Sequence, residues 1–432
     1  MTPQIKQRIE KIKNGEVPDG YKKTKIGIVP KEWKIICFKK MFTRLTRKNQ
    51  ENNTNVLTLS AQNGLVSQEE FFNKSIASDD KANYFLVKCG DYAYNKSYSN
   101  GYPYGTIKRL EKYKKGILSP LYICFSPSCN NRCSDFYSQY FEAGLMDREI
   151  KTFAQEGARN HGLLNISVND FFNAQLICPP LTEQQKIAEI LTTQDKIIEL
   201  KERKLAELKK LKKYYLSKMF PKRGTNYPEV RFPGFTDPWE QRMLGEVLKI
   251  CDEKNGKKFT REDVLAVSDT YGCVNQIAFH GRSFAGEDIS NYKIVKTGDI
   301  VYTKSPLQAK PYGIIKIVGK ETGIVSPLYI VNEAKQGFDP MFIYYLFDTP
   351  ERTNNYLSLL VNKGAKNTMN ISIDEWLSGI ITIAPSEKEQ KVIAKFFYSL
   401  DQIISLHQRE LDEEKKFKKS LMQLLLKGIV RV

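Results

Sequence analysis

A chain of 432 residues with 41% hydrophobic and 11% aromatic content has material for two or three domains with real cores, which excludes a disordered chain. Its 67 Lys and Arg against 49 Asp and Glu leave a formal charge of +18, which favours nucleic acid over neutral or cationic partners. No apolar run is long enough to span a bilayer, and residues 1–16 lack the apolar core of a signal peptide, so a cytoplasmic protein without membrane contact is expected.

In chain order, residues 1–20 read as a helical arm. Residues 1–33 align without a gap to 207–239, placing Ile5 on Leu211, Ile9 on Tyr215, Tyr21 on Tyr227 and Trp33 on Trp239. The first dozen residues thus resemble the closing turns of a later helix, which puts the arm near the second long helix. Residues 21–180 read as a mixed α and β domain. Strands are expected at 55–60, 84–87, 92–95, 121–125 and 174–178, a turn at Gly90 and Asp91, and a helix over 134–143. Residues 181–222 read as a long helix with apolar positions at Ile187, Leu191, Ile198, Leu205, Leu208, Leu211, Tyr215 and Met219. Thr182 sits where an N-cap belongs, and Pro221 with Gly224 ends it. Residues 223–385 form a second mixed domain with a helix over 341–347. Residues 386–432 carry a second long helix, with Ser386 as N-cap and Ile393, Phe397, Leu400, Ile404, Leu411, Phe417, Leu421 and Leu425 on its stripe. Gly428 follows as a stop.

The second half repeats the first. Gly90 and Asp91 return as Gly298 and Asp299, and VK-x-GD, Y-x-KS, PYG-x-IK and SPLYI occur in one order in both halves. Glu183, Gln184, Ile187, Ala188, Asp195 and Ile198 return at a constant shift of 206 as Glu389, Gln390, Ile393, Ala394, Asp401 and Ile404. Each long helix has about 40 residues and so spans roughly 60 Å. Neither stripe is covered by its own short segment. The expected fold class is therefore α/β (mixed α+β): two similar globular domains joined by two long antiparallel coiled-coil-like helices, with a pseudo-twofold internal repeat. The other reading is two separate core helices, one in each domain.

Two loops in each half have DNA-contact chemistry. The first carries Tyr94, Asn95, Lys96 and Ser97, followed by Tyr98, and is matched by Tyr302, Thr303, Lys304 and Ser305. Lysine suits phosphate, serine a phosphate oxygen, and asparagine or tyrosine a base edge or sugar. The second carries Arg159 and Asn160 after Gly157, matched by Lys366, Asn367 and Thr368 after Gly364. Glycine permits close backbone approach, and a cation sits at one position in both copies. The glycines, aspartates and prolines shared by both halves are read as fold-preserving.

Eight cysteines and three histidines are scattered, and the one cluster, Cys124, Cys129 and Cys133, has no CxxC pair. Reduced thiols and no metal site are expected. Intrinsic catalysis is also not expected. The string Cys178, Pro179, Pro180, Leu181 lacks the polar and aromatic residues of an amino-methyltransferase base loop, and no GxGxxG or GxxxxGK[ST] loop occurs.

The P-x-L-x-EQ-x-x-I-A-x-x-L-x-x-x-D-x-x-I run at 179–198, its echo at 385–404 and two variable domains headed by a tryptophan resemble the specificity subunit of type I restriction–modification systems. The resemblance covers essentially the whole chain. It implies two target-recognition domains, 21–180 and 223–385, each reading one half of a split double-stranded DNA target. It implies helices that set the gap between half-sites, two docked methyltransferase subunits, and nuclease/translocase subunits in the restriction complex. The chain itself would be non-catalytic and bind no cofactor, with S-adenosylmethionine held by the methyltransferase partners. Base readers would then differ between halves, in divergent stretches such as 98–102 against 306–310 or 62–74 against 270–283. The second copy departs from the pattern at Ser386, Glu387 and Lys388, where the entry to its helix differs. The alternative is a non-catalytic scaffold or adaptor without sequence-specific DNA binding, which would leave the charge unexplained.

Overall fold

The computed structural model describes residues 2–72, 81–99, 101–128, 133–156, 164–304, 307, 310–319, 322–363 and 369–432. It divides into two compact units: residues 1–202 with 410–432, and residues 203–409.

In the first unit a four-stranded antiparallel sheet runs in the order Phe42–Arg44, Ile123–Pro127, Tyr92–Asn95, Thr106–Arg109. Two-stranded ladders join Phe85–Lys88 to Lys115–Leu118, Leu57–Ser60 to Gly64–Ser67, and Lys34–Cys37 to Gln175–Cys178. Side chains alternate across the sheet, as the two-residue strand period requires. Tyr92, Tyr94 and Phe125 enter a core with Phe38, Phe42 and Phe141. Ala93 and Cys124 enter a second core with Leu57, Leu65, Val87 and Leu118. The Tyr92 and Phe125 rings stack at 5.3 Å while Phe42 meets both edge-on, contacts worth about 0.5–1.5 kcal/mol each beyond area burial. At the GD turn Gly90 has φ +91°, and the Asp91 carboxylate accepts the Lys88 amide at 2.7 Å.

The second unit repeats this topology. Its sheet order is Leu248–Ile250, Ile330–Ala334, Ile300–Thr303, Ile314–Ile317. Its ladders join Lys293–Val295 to Gly323–Val325, Leu265–Ser268 to Gly272–Asn275, and Glu240–Met243 to Ile380–Ile383. Even an isolated parallel bridge recurs, Val56 to Ile117 and Val264 to Ile324. Asp299 accepts the Lys296 amide at 2.7 Å, as Asp91 does that of Lys88. The sequence repeat is thus a repeat of topology.

The long helices are Leu181–Lys218 and Glu387–Leu425, and the boundary between the units crosses both. Within each unit the two helix segments pack antiparallel. In the first unit Asp195 meets Lys418, and Lys201 meets Glu410 at 2.9 Å. In the second, Lys212 meets Asp401 at 2.8 Å, and its ammonium also reaches Asp348 at 2.7 Å. Lys212 and Lys418 are themselves 206 residues apart, as are Asp195 and Asp401, so one ion pair is used twice.

Three details differ from the sequence reading. Thr182 is not the N-cap: the helix begins at Leu181, and the Gln184 amide donates to the Pro180 carbonyl at 3.0 Å. Leu211 and Phe417 are exposed, because the lysines beside them turn inward to pair with Asp401 and Asp195. The buried stripe is apolar where the helices meet a domain core, through Ile187, Leu191, Ile393 and Phe397; farther along, Leu205 and Leu411 stay buried while partly exposed ion pairs such as Lys201 with Glu410 run alongside.

The EQ pair ties each helix to its domain. Glu183 accepts from the Trp33 indole at 2.8 Å and from both arms of Arg431; Glu389 accepts from the Trp239 indole at 3.3 Å and from both arms of Arg231. Gln184 and Gln390 donate to the Pro179 and Ala384 carbonyls, both at 2.8 Å, closing the strand-to-helix corner. The helical arm, Pro3–Lys13, joins the first unit through Arg8, which donates to the Ile429 carbonyl at 2.7 Å.

Asp147, at the start of the helix Asp147–Phe153, is pushed up to about 6 by burial. The unfolded group ionises near 3.8, so between about pH 4 and pH 6 the folded state holds the extra proton and stability falls as pH rises. Asp147→Asn is therefore expected to stabilise the first unit at pH 7 by about 1 kcal/mol, after discounting for solvent access, and by nothing below about pH 4. Urea unfolding at both pH values checks this; an equal effect at both would contradict it.

Candidate nucleic-acid interface

The shared Y-x-KS and PYG motifs build the base of one loop. Tyr94 and Tyr302 are fully buried, and their hydroxyls donate to the Tyr104 and Tyr312 carbonyls, both at 2.7 Å. Burial pushes both phenols well up, so they remain neutral donors. Tyr94 stacks on Phe171 at 4.9 Å, and Tyr302 on Trp376 at 4.8 Å. The glycine of PYG comes so close to the outgoing strand that a Cβ on Gly105 would lie 2.3 Å from the Asn95 carbonyl oxygen. On Gly313 it would lie 2.1 Å from that of Thr303. The two tyrosines are therefore clamps that hold the loop shut at its root, and neither is placed to meet DNA.

Beyond the root the same backbone pairing recurs in both loops. Ser99 and Tyr102 exchange backbone hydrogen bonds in the first unit, and Leu307 and Lys310 do so in the second. The Asn95 side chain accepts the Ser97 amide at 3.0 Å, which sets the turn out of the strand. Asn95, Lys96 and Ser97 are half-buried, and Tyr98 is 60% exposed. Thr303 corrects the sequence reading: its side chain is only 1% exposed, inside a strand, so it serves the fold. Lys304 donates to the Ile371 carbonyl at 3.0 Å, and burial, with Lys293 nearby, lowers its pKa.

The strands that flank the second candidate loop lie beside the first loop. They are Gln155–Glu156 paired with Leu164–Asn165, and Asn362–Lys363 paired with Met369–Asn370. The Leu164 amide donates to the Lys96 carbonyl at 3.0 Å, and Lys304 reaches the segment after Asn370. In both units the described flank of the second loop is thus tied to the root of the first. Arg159, Asn160, Ser305, Lys366, Asn367 and Thr368 lie outside the described residues.

Sequence reading missed the charges that anchor the loop tips. In the second unit Lys310 meets Asp269 at 2.6 Å, Lys316 lies 3.3 Å from the same carboxylate, and Asp348 lies 3.8 Å from Lys316. Burial pushes Asp269 up, but the two lysines outweigh it and hold the carboxyl below its ordinary value. In the first unit Glu142 takes the place of Asp348, accepting from Tyr102 at 3.2 Å and pairing with Lys108. The 206-residue shift from Glu142 to Asp348 was the available signal. Among the described residues no His, Cys, Asp and Glu side chains group to hold a metal, and no helix is long and apolar enough to cross a membrane.

A family model described as the type I restriction modification DNA specificity domain matches the chain twice, at residues 30–210 and 236–415. The chain is 22% identical to the protein assigned as the MjaX type I restriction enzyme specificity subunit of Methanocaldococcus jannaschii, covering 96% of this chain and 97% of that one. It is 26% identical to the MjaVIII type I restriction enzyme specificity subunit of the same organism, covering 74% and 75%. A crystal structure of a type I restriction–modification S subunit from M. genitalium shares the fold, with TM-score 0.54 at 12% identity over 91% of this chain and 96% of that one. The doubled fold, the doubled loops and the doubled family match agree: the chain belongs to the type I restriction–modification DNA specificity family and is a DNA-recognition subunit.

Proposed function

We propose that each unit reads one half of a bipartite double-stranded DNA target, and that the chain does so without catalysing a reaction itself. The observation that carries this is one loop architecture built twice on one scaffold with different tips. Tyr102 in one becomes Lys310 in the other, while the tyrosine clamp and the glycine at the root are kept. Two scaffolds with different tips suit two half-sites of different sequence. Asn95, Lys96, Ser97, Tyr98 and Lys304 belong to this surface, as do Arg159, Asn160, Ser305, Lys366, Asn367 and Thr368 from their sequence pattern; lysine and arginine would meet phosphate.

Methyltransferase subunits would dock on the helices, and nuclease/translocase subunits would complete the complex. What supports this is an exposed apolar pair that repeats unchanged: Ile197 with Leu200, and Ile403 with Leu406, the leucines 60% and 55% exposed. Exposed apolar residues kept identical in both halves fit two copies of one partner. S-adenosylmethionine would be bound by those partners, and a cytoplasmic location follows from that assembly. The test is a genome methylation map from cells carrying the methyltransferase partner with and without this chain. A split motif that needs the chain is the expected result; an uninterrupted motif, or none, would overturn the proposal.

A further inference from the structure

An exposed aromatic strip lies beside the loop tip of the second unit. It starts at Tyr271, in the turn between Leu265–Ser268 and Gly272–Asn275, and continues along the short helix Gln276–His280 to Phe284. Ring centroids step from Tyr271 to Phe279 at 5.4 Å, to His280 at 4.5 Å and to Phe284 at 5.2 Å. The Arg282 guanidinium sits 4.8 Å over Phe284. Tyr271 is 66% and Phe284 56% exposed. The strip is fixed to the loop, because Asp269 in the same turn holds Lys310 of the tip at 2.6 Å.

The first unit has a smaller counterpart. Phe71 and Phe72 are exposed at the end of the helix Gln68–Phe72, with ring centroids 4.8 Å apart. Phe71 corresponds to Phe279, whereas Phe72 corresponds to His280 and Asn63 to Tyr271. The position recurs and the residues do not. That contrasts with Ile197 and Leu200, which recur unchanged in the other helix. A partner present in two identical copies requires the same surface twice. A ligand whose two halves differ requires two different surfaces at one place, and the two half-sites of a DNA target are such a ligand.

We propose that this strip is a base-reading surface: Tyr271, Phe279 and Phe284 read part of the second unit's half-site by apolar contact with base edges, and Phe71 with Phe72 do so for the first. This rests on the bipartite reading above and names which residues discriminate. Aromatic rings meet thymine methyl groups in a groove and add discrimination without neutralising phosphate. Loss of the strip therefore weakens specific binding but leaves the salt dependence alone.

The experiment uses the full chain with its methyltransferase subunits and compares wild type, the triple variant Tyr271→Ala/Phe279→Ala/Phe284→Ala, and Phe71→Ala/Phe72→Ala. The triple variant is expected to bind target DNA roughly tenfold more weakly with an unchanged salt slope. Its methylation motif should degenerate at one or two positions of one half only, and the Phe71/Phe72 variant's in the other half. An unaltered motif in both variants, equal loss across both halves, or loss of the methyltransferase subunits from the complex would overturn the proposal. Phe279→Ala alone, checked for a wild-type melt, covers the case in which the triple variant misfolds. If the wild-type complex yields no split motif, the bipartite reading fails; a wild-type split motif with unaltered variants removes only the aromatic strip.

Discussion

Glu389→Ala is expected to destabilise the second unit by about 3–5 kcal/mol, among the largest effects available to a single substitution in this chain. Glu389 is 1% exposed and takes both arms of Arg231 at 2.7 and 2.9 Å as well as the Trp239 indole. The Arg231 side chain is itself only 13% exposed. Removing the carboxylate leaves a largely buried guanidinium and a buried indole N–H without their acceptor, so the desolvation already incurred is no longer offset. The equivalent Glu183→Ala should cost less, about 1–3 kcal/mol, because Arg431 is 37% exposed and water can replace the lost partner. Denaturant unfolding followed by tryptophan fluorescence distinguishes them, since Trp33 lies in the first unit and Trp239 and Trp376 in the second. Equal costs for the two variants would show that burial of the arginine is not the deciding factor.

Gly313→Ala should act more locally, destabilising by more than about 3 kcal/mol and abolishing reading of one half-site. Gly313 has φ +107°, where side chains are strained, and the added methyl would lie 2.1 Å from the Thr303 carbonyl oxygen. That oxygen cannot retreat freely, because Thr303 is paired in the sheet with Ile314. The loop root would have to open, parting the Tyr302 hydroxyl from the Tyr312 carbonyl and releasing the tip. Gly105→Ala should do the same in the first unit, at 2.3 Å from the Asn95 carbonyl oxygen. Gly319→Ala, which meets nothing within 4 Å, is the control and should be near neutral. A methylation motif of normal sharpness with Gly313→Ala would show that the root does not hold the tip.

Much of this was legible in the sequence because the repeat marks its own structural residues. The strand over 92–95 was read to the residue, since alternating apolar residues after a GD turn leave little choice of register. The first long helix starts at the residue expected and ends at Lys218, four residues short of 222, and the second starts at Glu387, directly after Ser386 as read. What was misread has one cause. Lys212 and Lys418 look like solvated charges on a helix face, and Leu211 and Phe417 look like seam residues. The folded chain reverses them, because the partly exposed carboxylates of Asp401 and Asp195 draw the lysines inward. Hydrophobic periodicity has no means of scoring such a pair. Thr303 was misplaced for a related reason: a hydroxyl in a polar motif reads as a contact, yet its strand register turns it inward. The aromatic strip was legible only as divergence, since nothing in a linear sequence says that Tyr271, Phe279 and Phe284 share a surface.

The two units differ in how they are assembled from the chain, and this sets an order of events during synthesis. The second unit is one continuous stretch, 203–409, whereas the first needs both 1–202 and 410–432. Arg431 must reach Glu183, and the Gly428 carbonyl must reach the Tyr21 hydroxyl, before the first core closes. The later-translated module can therefore mature while its predecessor still waits with Trp33 and Glu183 uncapped, so the window for chaperone capture or proteolytic loss falls on the amino-terminal half.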